Sequence, residues 1–302
     1  MTVSDQSSAR LTALLSSASV EISSRGDQVA QLREHFAVGS DVTITFLPGD
    51  YYRHNVETAV ALRRAGFNPV PNIAAREMAS REALDDFLAR ARGEADVSRI
   101  LLIAGDVATT RGPFKSTRDV CASGLIEAHG VASVSLAGHP EGHPYLELAE
   151  ALNGLAAWRD WGRRTETRVD VVTQFCFESM PILQWIADLD RAGIDLPVIV
   201  GLAGPATPAT LTKFALRCGI GNSMRALRAQ IGRFGRLLTD TGPDDVVRGL
   251  RCAPATATAS ISGFHLFPFG GLRKAGDWLH NYDRDPLGRE RAAISGAGLQ
   301  NP

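Results

Sequence analysis

Eight short β-like runs recur along the chain, at residues 19–23, 42–46, 69–73, 99–104, 131–137, 168–175, 197–202 and 261–267, with segments of helical periodicity between them. Several runs are apolar throughout rather than alternating, as expected of parallel strands covered on both faces. The segments between them carry apolar residues at helical spacing: Val29, Leu32 and Phe36 in 27–36, and Val56, Val60 and Leu62 in 56–65. Ser80 stands where a helix cap would, ahead of 81–88, and 119–128, 146–161, 181–192 and 208–216 follow the same logic. Strict alternation of this kind implies a parallel sheet with right-handed crossovers. Eight repeats favour closure over an open doubly wound sheet, and no GxGxxG follows the first run, where Glu21-Ile-Ser-Ser-Arg stands instead. The expectation is therefore an α/β fold, a (β/α)8 TIM barrel with extra helices before the last strand. Those helices fall in 222–256, divided at Gly242-Pro243. The organisation expected is an N-terminal extension over 1–18, a catalytic barrel over 19–282 and a loosely packed tail over 283–302.

With 302 residues, 44% of them hydrophobic and 22% charged, the chain can bury a sizeable core. Its net charge of −1 gives no basic field suited to nucleic acid. Cys121, Cys176, Cys218 and Cys252 are far apart, in no metal-like spacing, and read as reduced thiols. The first residues lack the charged start and apolar run of a secretory signal, and no window approaches the length of a membrane span. A cytoplasmic location without membrane association is the expectation.

In such a barrel, side chains at the C-terminal ends of the strands share one pocket. Five strand-end segments carry suitable chemistry. Glu21 lies between Val20 and Ile22; a partly desolvated carboxyl there has a raised pKa and serves as a general acid, while a salt-bridged strand-end glutamate is the plain alternative. Gly105-Asp106 closes a strand, with a glycine that lets backbone approach a ligand, although the pair also suits a turn or cap. In 137–144, His139 and His143 flank Glu141 at a spacing that would pair two imidazoles on a helix, but Pro140, Gly142 and Pro144 forbid that helix, and no metal site is expected. Gln174, in Thr173-Gln174-Phe175, offers an amide that both donates and accepts, or simply a side chain bonded to backbone. Thr45 ends the second run.

Taken in this order, these segments resemble the catalytic domain of the methylenetetrahydrofolate reductase family, in its bacterial form and as a divergent member. The resemblance covers most of residues 19–270. It implies that Glu21 is the acid that opens the folate five-membered ring, that Asp106 tunes a flavin and anchors the pterin, and that Gln174 contacts substrate. It implies FAD as cofactor, held by Thr45, Asn72, Gly105, Asp106, Ala122, His139, His143 and Arg163 or Arg164, with Phe214 stacking on substrate. Partners would be tetrahydrofolate derivatives and NAD(P)H, taken in turn by one pocket with ping-pong kinetics, and homo-oligomers are left open. Departures from the family pattern are Ala104 where Arg-Gly-Asp is usual, Asn72 where histidine is common, and His139 in place of tyrosine. They leave open a flavin-free variant, one that works mainly by oxidising methyl-folate, or a folate-binding barrel without redox chemistry.

Overall fold

All eight strands form and close in chain order into one parallel barrel: β1 (Ser19–Ser23), β2 (Asp41–Thr45), β3 (Asn68–Ala74), β4 (Arg99–Ile103), β5 (Ser133–Gly138), β6 (Arg168–Thr173), β7 (Val198–Ala203) and β8 (Ile261–Phe267). This is the expected (β/α)8 architecture. The computed structural model describes residues 3–26, 28–47, 49, 51–105, 107, 109–143, 145–220 and 240–284. Closure is made by β8 against β1, with Ser19 opposite His265 and Val20 opposite Leu266.

The outer layer is α2 (Val29–His35), α3 (Tyr52–Arg64), α4 (Arg81–Ala95), α5 (Thr117–Ala122), α6 (Leu125–Ala128), α7 (Leu148–Thr165), α8 (Ser179–Arg191), α9 (Pro208–Arg217), α10 (Asp244–Cys252) and α11 (Leu272–Arg284). Local sequence sets its boundaries. Ser80 caps α4, its hydroxyl accepting from the Ala83 N–H at 3.1 Å. The segment 119–128, expected as one helix, is two, because Gly124 adopts φ +70° between α5 and α6. Of the expected extra helices, 221–239 lies outside the described residues, while α10 and a 3-10 turn over Ala255–Thr258 precede β8. The 285–302 part of the expected tail is likewise outside them. Ahead of the barrel, α1 (Val3–Ser16) buries Leu11 and Leu15, and Arg10 donates to the carbonyls of Ile261 at 2.7 Å and Thr258 at 2.6 Å. Since Ile261 begins β8, this helix sits at the N-terminal end of the barrel.

Side chains alternate along each strand. Val20, Ile22, Val42, Ile44, Ile100, Leu102, Val134, Leu136, Val198 and Val200 pack outward as the main core. The inward face carries Glu21, Thr43, Asn72, Arg99, Ser133, Ser135, Asp170 and His265 at registered positions, together with the apolar Val70, Leu101 and Ile199. The lower lumen is joined by Arg99. Its guanidinium donates to Asp41 Oδ2 at 3.0 Å, to both carboxylate oxygens of Asp170 at 2.8 and 2.9 Å, and to Ser135 Oγ at 3.0 Å. One side chain thus ties β2, β4, β5 and β6 across the barrel. Arg99→Leu is expected to cost about 2 kcal/mol in urea unfolding, the figure for stranding paired carboxylates discounted for their partial solvent contact. Adding Asp170→Asn should recover part of that loss; an unchanged midpoint for the single variant would contradict this role.

Candidate functional site

The C-terminal mouth gathers the residues that the sequence singles out on β1, β2, β3 and β6. Glu21 and Thr45 are inward on adjacent strands, Glu21 opposite Thr43 and Thr45 opposite Ser23. Asn72 is inward on β3, almost fully buried, and its Oδ1 has no hydrogen-bond partner among the described residues. Gln174 follows β6, held by its N–H donating to the Gly138 carbonyl at 2.7 Å, while its Oε1 accepts from the Phe175 N–H at 3.2 Å. Between Gln174 and β1 the wall is closed by Gly201 and Phe267. A Cβ on Gly201 would overlap the Thr173 carbonyl and come within 2.8 Å of the Phe267 ring and 3.2 Å of the Gln174 carbonyl carbon. Phe267 stands two residues beyond His265, hence level with Glu21.

Glu21 is the electrostatic centre of this mouth. Among the described residues no hydrogen bond or ion pair reaches its carboxyl, and burial alone raises its pKa from 4.5 to about 7. It keeps some surface open to the lumen, yet the packed wall removes most of the hydration that an anion needs. The salt-bridged alternative is not what the structure contains. Below it, Ser19 Oγ lies 2.8 Å from His265 Nδ1, and the His265 ring meets Phe267 edge-on at 4.8 Å. His265 is fully buried, its Nε2 has no partner among the described residues, and desolvation followed by the Arg99 charge lowers its pKa to about 3. It is a neutral imidazole that the sequence reading passes over, although its run, Gly263-Phe264-His265-Leu266-Phe267, puts it on the inward face.

A lateral cleft of about 410 Å³ opens beside the mouth, between the ends of β4 and β5 and the start of α7. Ala104, Ala137, Gly138, His139 and His143 form one side, Gly154 and Trp158 the other, with Arg118 at the edge. The 139–142 stretch is a turn closed by the Gly142 N–H donating to the His139 carbonyl at 2.9 Å. His139 and His143 rings meet at 4.8 Å and 72°. Desolvation, then the neighbouring His143, lowers the His139 pKa to about 4, so that ring is neutral. His143 Nδ1 accepts from the Tyr145 N–H at 3.2 Å, which places the ring proton on Nε2. The Glu141 carboxyl lies against the Cys176 thiol, which burial pushes up, so this loop reaches across to the end of β6. Gly105, at φ +93°, would bring a Cβ to 3.3 Å from that of Ala74, and the Ala104 carbonyl accepts from the Arg76 N–H at 2.9 Å. Asp106 lies outside the described residues. No group of three or more His, Cys, Asp or Glu placed to hold a metal ion occurs among the described residues, and none of their helices is long and apolar enough to cross a membrane.

Two expected cofactor contacts fall elsewhere, and a third residue, Phe214, is engaged in an aromatic stack. Arg163 and Arg164 occupy the last turn of α7, both exposed, with Arg163 paired at 2.7 Å to Asp195, which precedes β7. A helix rising 1.5 Å per residue carries position 163 about 22 Å from its start at the rim, to the opposite face of the barrel. They do not join the cleft. Ala122, at the end of α5, is exposed and lines neither region. Phe214 is near the mouth, but its ring stacks on Phe269 at 4.1 Å, and Phe269 in turn lies parallel to Phe267.

No family model matches the chain. Among solved structures it is similar to the dihydropteroate synthase (FolP) of Thermus thermophilus, at 14% identity and a TM-score of 0.45, over 88% of this chain and 92% of that one.

Protonated Glu21 has a consequence for stability. With its folded pKa at about 7 and its unfolded value at 4.5, the native state keeps a proton that the unfolded chain has released between those limits. Stability from this group is complete below pH 4.5 and is lost as pH rises through 7. Glu21→Gln carries no such slope. The variant should match wild type near pH 4 and exceed it by about 2 kcal/mol at pH 8, the shift discounted for the open side of the lumen. Parallel stability–pH curves for the two proteins would show that Glu21 titrates normally.

Proposed function

We propose that this protein is a flavin-dependent oxidoreductase that interconverts 5,10-methylenetetrahydrofolate and 5-methyltetrahydrofolate with NAD(P)H. The observation that carries the reading is the carboxyl of Glu21, with no partner among the described residues, a pKa raised to about 7 and a place in the mouth of the barrel. An acid with a pKa near the working pH suits a reaction whose slow event is protonation of a weakly basic ring nitrogen. Glu21 gives its proton to that nitrogen, the carbon–nitrogen bond of the five-membered ring breaks, and the substrate becomes an iminium whose carbon is open to hydride. Gln174 and Asn72 supply amides that donate and accept along the pterin edge. Asp106 takes the second pterin contact in this reading.

The cleft fits a flavin nucleotide on three observations. His143 presents an N–H toward a ligand, Arg118 supplies a cation for phosphate, and a methyl group built on Gly154 meets nothing within 4 Å, so the α7 side is open. Residues of the cleft that would hold it are Arg118, His139 and His143, with Gly105 just past the end of β4; Thr45 lies outside the cleft, on β2 beside β1. When bound there, flavin supplies a two-electron carrier able to take hydride from NAD(P)H and pass it on.

A second reading draws on a specific feature: at the cleft edge Ala104 stands where the resemblance leads to arginine, and Arg118 is the one cation lining the described cleft. This favours a flavin-free reductase, or a barrel that binds folate without redox chemistry.

The absorption spectrum of the purified protein, followed by anaerobic NADH, separates these readings. A flavin spectrum that bleaches supports the first, and a colourless protein that still reduces methylene-folate supports the flavin-free one. Tetrahydrofolate binding with no NAD(P)H oxidation supports the carrier. In the first case Glu21→Gln should retain bleaching by NADH and lose folate reduction at least about 100-fold, the range of general-acid catalysis. Gly154→Leu should keep the fold, since it removes a helical glycine into open space, and lower flavin content about tenfold. Equal loss of both half-reactions in Glu21→Gln would remove the acid role.

A further inference from the structure

The connection from β2 to α3 carries an exposed aromatic and cationic cluster that the chemistry above does not use. Tyr51 keeps 50% of its surface in solvent, yet its ring is held on several sides. Tyr52 lies at 5.0 Å between centroids, His54 at 6.2 Å edge-on, and the Arg53 guanidinium 5.5 Å from the ring centre. The cluster is anchored from beneath, where the Tyr52 hydroxyl donates to Asp86 at 2.7 Å and its ring packs edge-on against Phe87 at 5.9 Å. Among the described residues, Asp86 and Glu57 are the carboxylates nearest in the fold and sequence; Asp50 lies outside them. Asp86 is engaged by Tyr52, and among the described residues neither forms an ion pair with Arg53.

An aromatic ring fixed in place but left wet loses little conformational freedom when a flat ligand covers it. A guanidinium beside it, in no ion pair among the described residues, adds selectivity for an anion. The position is also apt. The connection leaves β2 just past Thr45, which lies opposite Ser23, two residues beyond Glu21 on the neighbouring strand. The cluster therefore stands on the C-terminal rim, outward of the proposed acid.

We propose that Tyr51 and Arg53 form a subsite for an aromatic carboxylate appended to the substrate, the p-aminobenzoyl-glutamate tail of tetrahydrofolate. The tail's ring lies on Tyr51 and its carboxylates face Arg53 and His54. This inference rests on the folate reading above and adds a tail-recognition site to it.

The test is anaerobic equilibrium titration of wild type, Tyr51→Ala and Arg53→Ala with tetrahydrofolate and with 6-methyltetrahydropterin, which has the pterin and no tail. Both residues are exposed, so the variants should fold, and their melting temperatures check this. Tyr51→Ala is expected to raise the Kd for tetrahydrofolate about fivefold and Arg53→Ala about threefold. The Kd for 6-methyltetrahydropterin should change less than about 1.5-fold in both, and the Arg53 effect should shrink in roughly 0.5 M salt. Unchanged tetrahydrofolate affinity in both variants, or equal weakening of the two ligands, overturns the subsite while leaving the folate reading in place. Failure of wild type to bind either ligand overturns the folate reading and the subsite with it.

Discussion

The structure depends on one guanidinium. Lumens of (β/α)8 barrels are ordinarily filled by layers of branched apolar side chains, but here the lower layer is built from charge. Arg99 reaches from β4 to Asp41 on β2, Asp170 on β6 and Ser135 on β5, in a planar fork that fixes four strands relative to one another. The three charged groups are partly solvated, with side-chain exposures of 23%, 35% and 15%, so their desolvation cost is smaller than for a dry ion cluster. This ion cluster plugs the N-terminal end of the lumen, beside the apolar Val70, Leu101 and Ile199. The mouth above it can then remain open and polar.

The same plug bears on the acid above it. Arg99 is the cation nearest the lumen's centre, and a free guanidinium there would hold Glu21 ionised. It is instead matched against two carboxylates, Asp41 and Asp170, so the plug as a whole carries one negative charge. His265, the next polar group upward, is buried and neutral. Nothing in the lumen therefore favours a carboxylate at position 21, and the surrounding packing disfavours one. A charge network that ties the strands and an acid whose pKa is raised to about 7 are two aspects of one arrangement.

Much of this is legible in the sequence because strand ends in a parallel barrel are a fixed address. Once eight runs alternate with helices, a polar residue inside an apolar run must face the lumen or break the core, and Glu21 is readable on that ground. Gln174, Thr45 and Asn72 follow the same rule. Where reading depends on matching residues across a helix, it fails: Arg163 and Arg164 lie an α7 length away from the rim, a distance that no motif encodes. Gly124 splits an expected helix because periodicity is indifferent to one left-handed residue. His265 is recoverable from alternation in its strand, but a histidine between Phe264 and Leu266 reads first as core. The cleft is invisible for a different reason, since its far wall comes from Gly154 and Trp158, whose relation to His143 is set by how α7 packs.

The mouth and the cleft lie on opposite faces of the same strand ends, those of β4 and β5. Ala137 faces the lumen while Leu136 and Gly138 on either side of it face the cleft. A side chain on Gly138 would collide with Val171 at 2.7 Å and Trp185 at 2.8 Å, so glycine lets Trp185 press against the strand end and floor the cleft. On β4 the positions in register with Ala137 and Gly138 are Ile103 and Ala104, so the strand ends between lumen and cleft carry one branched side chain and are otherwise small.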